Sequence, residues 1–248
     1  MGVDGGRPRV VVSVTATADG RVAPGPDQRL LEPENSERWR SLWPGDVEEI
    51  LRRRDGWIAE QHRPRAILEG SGTFVAEGAG PRELPGDESD EDLGTDYLPK
   101  ESINWFVVVD GRGRIEWTYK QDGNTTLLVL VSKSTPREYL AYLRREEIPY
   151  LVAGTERVDL AQALTAMREK LGVECVLSQA GGGLTSALIR NGLVDELHVV
   201  TIPAVVGGLT TPSIVDGPAG EPAVRLRTVE VVVGEQGTLW THYEVAGP

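Results

Sequence analysis

Residues 179–200 read QAGGGLTSALIRNGLVDELHVV. Gly181, Gly182 and Gly183 fall between an apolar, strand-like run and a helix-like one, although glycine gives up more conformational freedom on folding than any other residue. Two accounts fit them. Consecutive glycines let the backbone approach a phosphate to hydrogen-bonding distance, and a helix starting directly after them adds unpaired N–H donors and the positive dipole end. A pyrophosphate held this way needs no lysine or arginine. The other account is a flexible turn that needs positive φ. The run is not G-x-G-x-x-G and lies far from the N-terminus, so the standard Rossmann fingerprint is absent. Two more glycine turns follow apolar runs, Gly70-Ser-Gly-Thr73 and Asp110-Gly-Arg-Gly-Arg114. In open parallel sheets ligands bind beyond the carboxyl ends of the strands, where these turns fall. Asp19, in Ala18-Asp19-Gly20, reads first as a turn former, and its place at the end of a strand keeps proton donation open.

The elements that must position these residues are legible in outline. Residues 9–16, RVVVSVTA, read as a buried strand. Asp46, with Glu49 three residues on, reads as the cap of a helix whose buried face carries Val47, Ile50, Leu51 and Ile58. Further strands are expected at 65–69, 105–109 and 126–132. Thr135-Pro136-Arg137-Glu138 reads as a capping box, with a helix running to about Glu147. A short strand at 149–153 precedes a helix capped by Asp159 and ended by Gly172. A strand at 173–178, the glycines, a short helix to Arg190 and a strand at 196–202 follow. The last two strands, 224–233 and 238–245, read as a hairpin at a sheet edge. This alternation implies an α/β chain built on one largely parallel sheet with an antiparallel C-terminal edge. No linker or repeat divides it, so a single domain over 1–248 is expected, with an acidic, mobile insertion at about 79–101. Within it, residues 83–96 carry seven acids and no base. Residues 24–45, rich in proline, charge and tryptophan, resist assignment; Trp39, Trp43 and Trp57 suit core packing better than a ligand ring.

Composition narrows the function. The formal net charge of −12 and a pI near 4.8 argue against nucleic acid as partner. No apolar run approaches a membrane span, and the N-terminus lacks the regions of a signal peptide, so a cytoplasmic location is expected. Cys175 is the single cysteine, which excludes an intrachain disulfide and a multi-cysteine zinc site. His62, His198 and His242 lie far apart in sequence with no visible acid partner, so neither a metal centre nor a catalytic role is expected of them.

The stretch LSQAGGGLTSALIRNGLVDELHVVTIPAVVGG closely resembles a signature of the riboflavin-biosynthesis pyrimidine reductases, the family of the C-terminal domain of the bifunctional deaminase-reductase. VVVSVTATADGRVA, AILEGSGTFVAEG and FVVVDGRGRI extend the resemblance, in the family's order, over most of the chain. The resemblance implies a three-layer α/β/α, dihydrofolate reductase-like fold and an NADPH-dependent oxidoreductase. Its hydride would open a pyrimidine-linked ribose phosphate to a ribityl chain. It places Gly181, Gly182, Gly183, Leu184 and Thr185 at the pyrophosphate, and Thr73, Glu77 and Ala16 along the cofactor. Asp110 and Gly111, with Arg112 or Arg114, would face the adenosine 2′-phosphate, which suits the planar fork of arginine. Arg82 falls where the family begins to contact substrate phosphate. The resemblance also makes a homodimer plausible.

Two departures from the family, at Ser13 and Gln179, lie on the substrate side, and a third falls at Gly111 in the turn expected to face the cofactor. A family lysine is replaced by Ser13, a family glutamate by Gln179, and a family serine by Gly111. Loss of the Lys and Glu together removes an opposite-charge pair, and Gln179 donates as well as accepts where an ionised glutamate only accepts. A related heterocycle is therefore an alternative substrate, as for a dihydrofolate or pterin reductase or a tailoring enzyme. A dinucleotide-binding protein without turnover is the second alternative. The single cysteine of this sequence cannot supply the zinc site of the family's deaminase half, so a stand-alone reductase is expected. No catalytic side chain stands out beyond Asp19, and hydride transfer to an imine carbon needs little side-chain acid–base chemistry.

Overall fold

The computed structural model describes residues 6–76, 78–82, 84, 91–218 and 223–246. Its contacts group into two compact units that interleave along the chain. One holds residues 1–8 and 65–176, the other 9–64 and 177–248.

The first unit is built on parallel strands. β2 (Ala66–Gly70) pairs with β3 (Asn104–Val109), and β3 with β5 (Thr125–Val131). On the far side of β5, the two-residue β4 (Gln121–Asp122) pairs antiparallel and β6 (Tyr150–Val152) parallel. After Thr125 and Thr126, β5 is apolar and buried from Leu127 to Val131, as a strand covered on both faces must be. Its residues Leu127, Val129 and Val131 pack with Val108, Tyr139 and Leu143. α3 (Arg137–Arg145) supplies the last two, and α4 (Leu160–Leu171) follows it. Asp159 caps α4 by accepting from the Gln162 N–H at 3.0 Å, and Gly172 ends it with φ 63°. The Thr135 capping box does not form. Pro136 stands at the N-cap, while the Thr135 hydroxyl accepts from the Ser132 N–H and donates to the Gly111 carbonyl. α3 stops at Arg145 because Glu147 takes φ 54°, letting the Ile148 N–H turn back to the Leu143 carbonyl.

The second unit orders its strands β1 (Arg9–Thr17), β8 (Glu196–Ile202), β10 (Leu239–Val245), β9 (Leu226–Val233). β1 and β8 are parallel; β8–β10 and β10–β9 are antiparallel, so the expected hairpin forms the edge. α1 (Pro33–Arg40) occupies the unassigned stretch and buries Trp39, which packs with Val47 and Ile202. α2 (Val47–His62) lays Ile50 on Val200, Val232 and Trp240. Trp43 and Trp57 are partly buried and pack against these two clusters, so all three tryptophans serve packing. Asp46 is at the N-cap of α2 but caps nothing: its carboxylate accepts from the Gln236 N–H and the Thr238 hydroxyl in the β9–β10 turn. α5 (Gly182–Arg190) precedes β8. β7 (Cys175–Ser178) begins in one unit and ends in the other, with Cys175 buried.

Candidate functional site

In the second unit, Gly181 is the N-cap of α5, with extended φ −65° and ψ 172° and no side chain capping the first turn. A Cβ at Gly181 or Gly183 would meet open space, and both residues are exposed. None of the three has positive φ, so the turn account does not explain them. Gly182 is buried, and a Cβ there would run into the Ser213 carbonyl and the Asp216 carboxylate. One glycine thus permits close packing of the 213–216 segment, and the other two leave backbone N–H groups approachable. That arrangement fits a pyrophosphate. Leu184 is half-buried, and the buried Thr185 hydroxyl donates to the Ala180 carbonyl at 3.1 Å. Gln179 is exposed.

The 211–216 segment also joins this helix start to the end of β1. The Asp216 N–H donates to the Gly182 carbonyl, and the Ile214 N–H to that of Gly20. Asp19 sits in that turn. Its carboxylate accepts from the Thr17 hydroxyl, the Gly207 N–H at 2.7 Å and the Val206 N–H at 3.3 Å. The Thr17 bond, then those backbone donors, hold its pKa below the usual carboxylate value. Asp19 is therefore a turn anchor held ionised, which is the wrong state for a proton donor near neutrality. Ala16 is buried in register with Thr201. Ser13 is three residues away on a strand whose side chains alternate, so it points to the opposite face, in register with His198. It is buried there, with its hydroxyl lacking a partner.

In the first unit the two other glycine turns meet. The Arg114 guanidinium donates to the Ser71 hydroxyl and to the Ala76 carbonyl. Asp110 accepts from the N–H groups of Arg114 and Ile115, at 2.7 and 3.0 Å, and from the Tyr139 hydroxyl. Burial pushes the Asp110 carboxyl upward while those donors pull it down. Arg114 is buried and committed to the fold, whereas Arg112 is exposed and free of hydrogen bonds among the described residues. Arg112 is thus the arginine of this turn able to meet an anion. Gly111 is needed for packing: a Cβ would stand 3.0 Å from Val158 Cγ2. The Thr73 hydroxyl donates to Glu69 at 2.9 Å, and burial raises the Glu69 carboxyl to about 7. Glu77 lies outside the described residues. Arg82 borders a cleft of about 620 Å³ walled by Phe74, Phe106, Trp117 and Tyr119, but its guanidinium pairs with Glu116 at 3.0 Å.

The histidines are the main departure from expectation. His62 ends α2, His198 lies on β8 and His242 opposite it on β10, and all three meet the buried Glu196 carboxylate. Their separation in sequence concealed a shared partner, and the Asp195-Glu196 pair was the available signal. Asp195, next to Glu196, accepts from the Val10 N–H at 2.7 Å.

Residues 8–240 match the family model of the RibD C-terminal domain. The 2,5-diamino-6-ribosylamino-4(3H)-pyrimidinone 5′-phosphate reductase of Archaeoglobus fulgidus is 31% identical over 226 residues, covering 90% of this chain and 93% of that protein. The protein of the same description from Methanothermobacter thermautotrophicus is 30% identical over 213 residues, covering 85% of each. Among solved structures, a pyrimidine reductase-like protein of Corynebacterium diphtheriae shares the fold, with a TM-score of 0.65, 17% identity and coverage of 97% and 93%. RibD of Acinetobacter baumannii gives a TM-score of 0.60 at 20% identity; the chain covers 59% of that longer structure.

Proposed function

Because the chain belongs to the RibD C-terminal domain family, we propose that it is an NADPH-dependent reductase of a ribosylamino-pyrimidine phosphate or a closely related heterocycle. The observation that carries this reading is the 31% identity to a reductase of that description across nine-tenths of both chains. The uncapped start of α5, open at Gly181 and Gly183, supports it from the geometry. When bound, the nicotinamide dinucleotide supplies the hydride.

The chain's own residues bind and orient. The first turn of α5 offers N–H donors and its dipole end to a pyrophosphate. Arg112 offers a fork of donors to a phosphate monoester, which favours NADPH over NADH. Gln179, whose amide both donates and accepts, suits a mixed hydrogen-bonding edge on the substrate. Asp19 holds its turn and takes no proton. We also read the protein as a cytoplasmic homodimer; among the described residues no helix is long and apolar enough to cross a membrane.

Single-turnover assays follow NADPH or NADH consumption with the ribosylamino-pyrimidine phosphate and with dihydrofolate. NADPH consumption with the pyrimidine phosphate, and ribityl product, is the expected result. Turnover of dihydrofolate alone assigns the pterin alternative, and no turnover of either with dinucleotide bound assigns a binding protein. Arg112→Ala is expected to weaken NADPH binding about tenfold or more while leaving NADH unchanged. Equal losses for the two dinucleotides remove Arg112 from the 2′-phosphate.

A further inference from the structure

Every histidine in the chain reaches one oxygen. Glu196 Oε2 stands 2.9 Å from His62 Nε2, 3.1 Å from His242 Nε2 and 3.3 Å from His198 Nε2. Arg9 holds the other carboxylate oxygen at 2.8 Å. Glu196, His198 and His242 are each more than nine-tenths buried. Trp57 of α2 closes over the group, its ring centroid 4.6 Å from His242, 5.3 Å from His198 and 5.5 Å from His62.

The donor set resembles a metal site, since the ligand atoms of Glu196, His198 and His242 all lie within 4.8 Å of one another. Two features of the geometry favour protons instead. The Trp240 indole N–H, which can only donate, points at His198 Nδ1 at 3.2 Å. His198 Nδ1 therefore carries the lone pair and Nε2 the proton, leaving Nε2 a donor to Glu196 rather than a ligand. His198 and His242 also stack face to face, with centroids 4.2 Å apart and planes 14° from parallel, which brings a charge on either ring close to the other.

We propose that Glu196 and the three histidines form a proton-operated clasp fastening α2 to β1, β8 and β10, complete while His242 is neutral and opened by a proton added there. His242 Nε2 lies 3.1 Å from Glu196 Oε2, yet neither of its buried ring nitrogens makes a hydrogen bond among the described residues. The charged and titratable groups around it come from every packed element: His62 and the Arg53–Glu230 pair joining α2 to β9, Arg9 from β1, Glu196 and His198 from β8, and Glu244 from β10. Burial first, then the neighbouring His198, lowers the His242 pKa from its ordinary value. An imidazole that resists protonation when folded and accepts it near pH 6.5 when unfolded adds stability above that pH. The stability is lost as the pH falls below it. β1 leads into Asp19, and β8 into the Val206–Gly207 loop that holds Asp19, so opening the clasp loosens the frame of that turn. This inference stands on side-chain geometry and is independent of the reductase reading.

Because the chain has three histidines, their imidazole C–H signals can be followed by NMR in the wild-type protein from about pH 8 to about pH 5. One signal is expected to titrate below pH ~6.5 together with shifts in the Trp57 and Trp240 indole signals. In thermal unfolding, His242→Phe is expected to lose at most half of the Tm that wild type loses between about pH 7.5 and about pH 5.5. Should His242→Phe not fold, the wild-type titration decides alone. The clasp is overturned if no imidazole titrates with the indoles, or if both proteins lose the same Tm. It is also overturned if Zn²⁺ raises the wild-type Tm in a manner that EDTA reverses and His242→Phe abolishes, which would assign a metal site.

Discussion

A carbon added at Gly182 would overlap Ser213 and Asp216, whereas one added at Gly183 would project into open space beside the same helix start. Substitutions at the two positions therefore separate packing from binding. Gly182→Ala is expected to destabilise the protein by about 1–3 kcal/mol, as overpacking does. Gly183→Asp adds a negative charge in the first turn of α5, where the helix dipole welcomes it, so its Tm should hold or rise slightly. The same charge repels a pyrophosphate, and NADPH affinity measured by tryptophan fluorescence should fall at least tenfold. Unchanged affinity in Gly183→Asp would remove the glycine run from the cofactor site. Glu69 offers a second residue-level prediction. Its carboxyl is raised by burial to about 7 from an ordinary 4.5. The folded state thus bears the cost of a buried carboxylate above pH 7 and is relieved of it as the pH falls toward 4.5. Glu69→Gln, which keeps an acceptor for Thr73, is expected to stabilise the protein at about pH 8 by roughly 1–3 kcal/mol and to bring no gain near pH ~4.5. An equal effect at both pH values would show that Glu69 is not titrating in the fold.

At the scale of elements, caps reveal how local signals and tertiary demands compete. Asp159 and Gly172 bound α4 as their residue types suggest, because nothing else claims the Asp159 carboxylate. Asp46 and Thr135 carry the same local signal, yet their oxygens are taken by Thr238 and Gln236 in one case and by Ser132 and Gly111 in the other. Those partners are distant in sequence, so a cap motif cannot reveal them. α1 has no apolar stripe to read in the sequence, because Trp39 alone of its eight residues is buried. The strands were more legible, since alternation and continuous apolar runs are local. The glycine helix start was legible for the same reason; the partition of work among its three glycines was not, because it depends on the 213–216 segment. Asp46 yields a prediction at this scale. The Thr238 hydroxyl, followed by the backbone donors of the hairpin turn, holds its pKa below the ordinary value. Its contribution is present above the usual carboxylate range and fades as the pH drops through the lowered value. Asp46→Asn should speed amide exchange in the β9–β10 turn near neutral pH, and the difference from wild type should vanish in acid. A turn equally protected in both proteins would show that α2 and the hairpin do not depend on this contact.

For the molecule as a whole, the proposed homodimer directs attention to the edge of the second unit. β9 ends the strand order β1-β8-β10-β9, so one side of its backbone is unpaired among the described residues. Val229, Val231 and Val233 alternate along it on one face and are 43%, 53% and 69% exposed, whereas Val232 on the other face is buried under α2. An unpaired edge bearing an exposed β-branched stripe is a template for pairing, and proteins that stay monomeric blunt such edges with charge. A two-fold dimer would place the same stripe on both sides of its interface, so one substitution acts twice. Val231→Lys is therefore expected to convert a dimer to a monomer in analytical ultracentrifugation, with Tm at low concentration little changed because the valine is exposed in the single chain. The comparison with His242→Phe is informative, since that substitution acts beneath α2 on the opposite face and should leave the association state alone. A wild-type protein that sediments as a monomer at all accessible concentrations would sink the dimer reading, and the valine stripe would then need another partner.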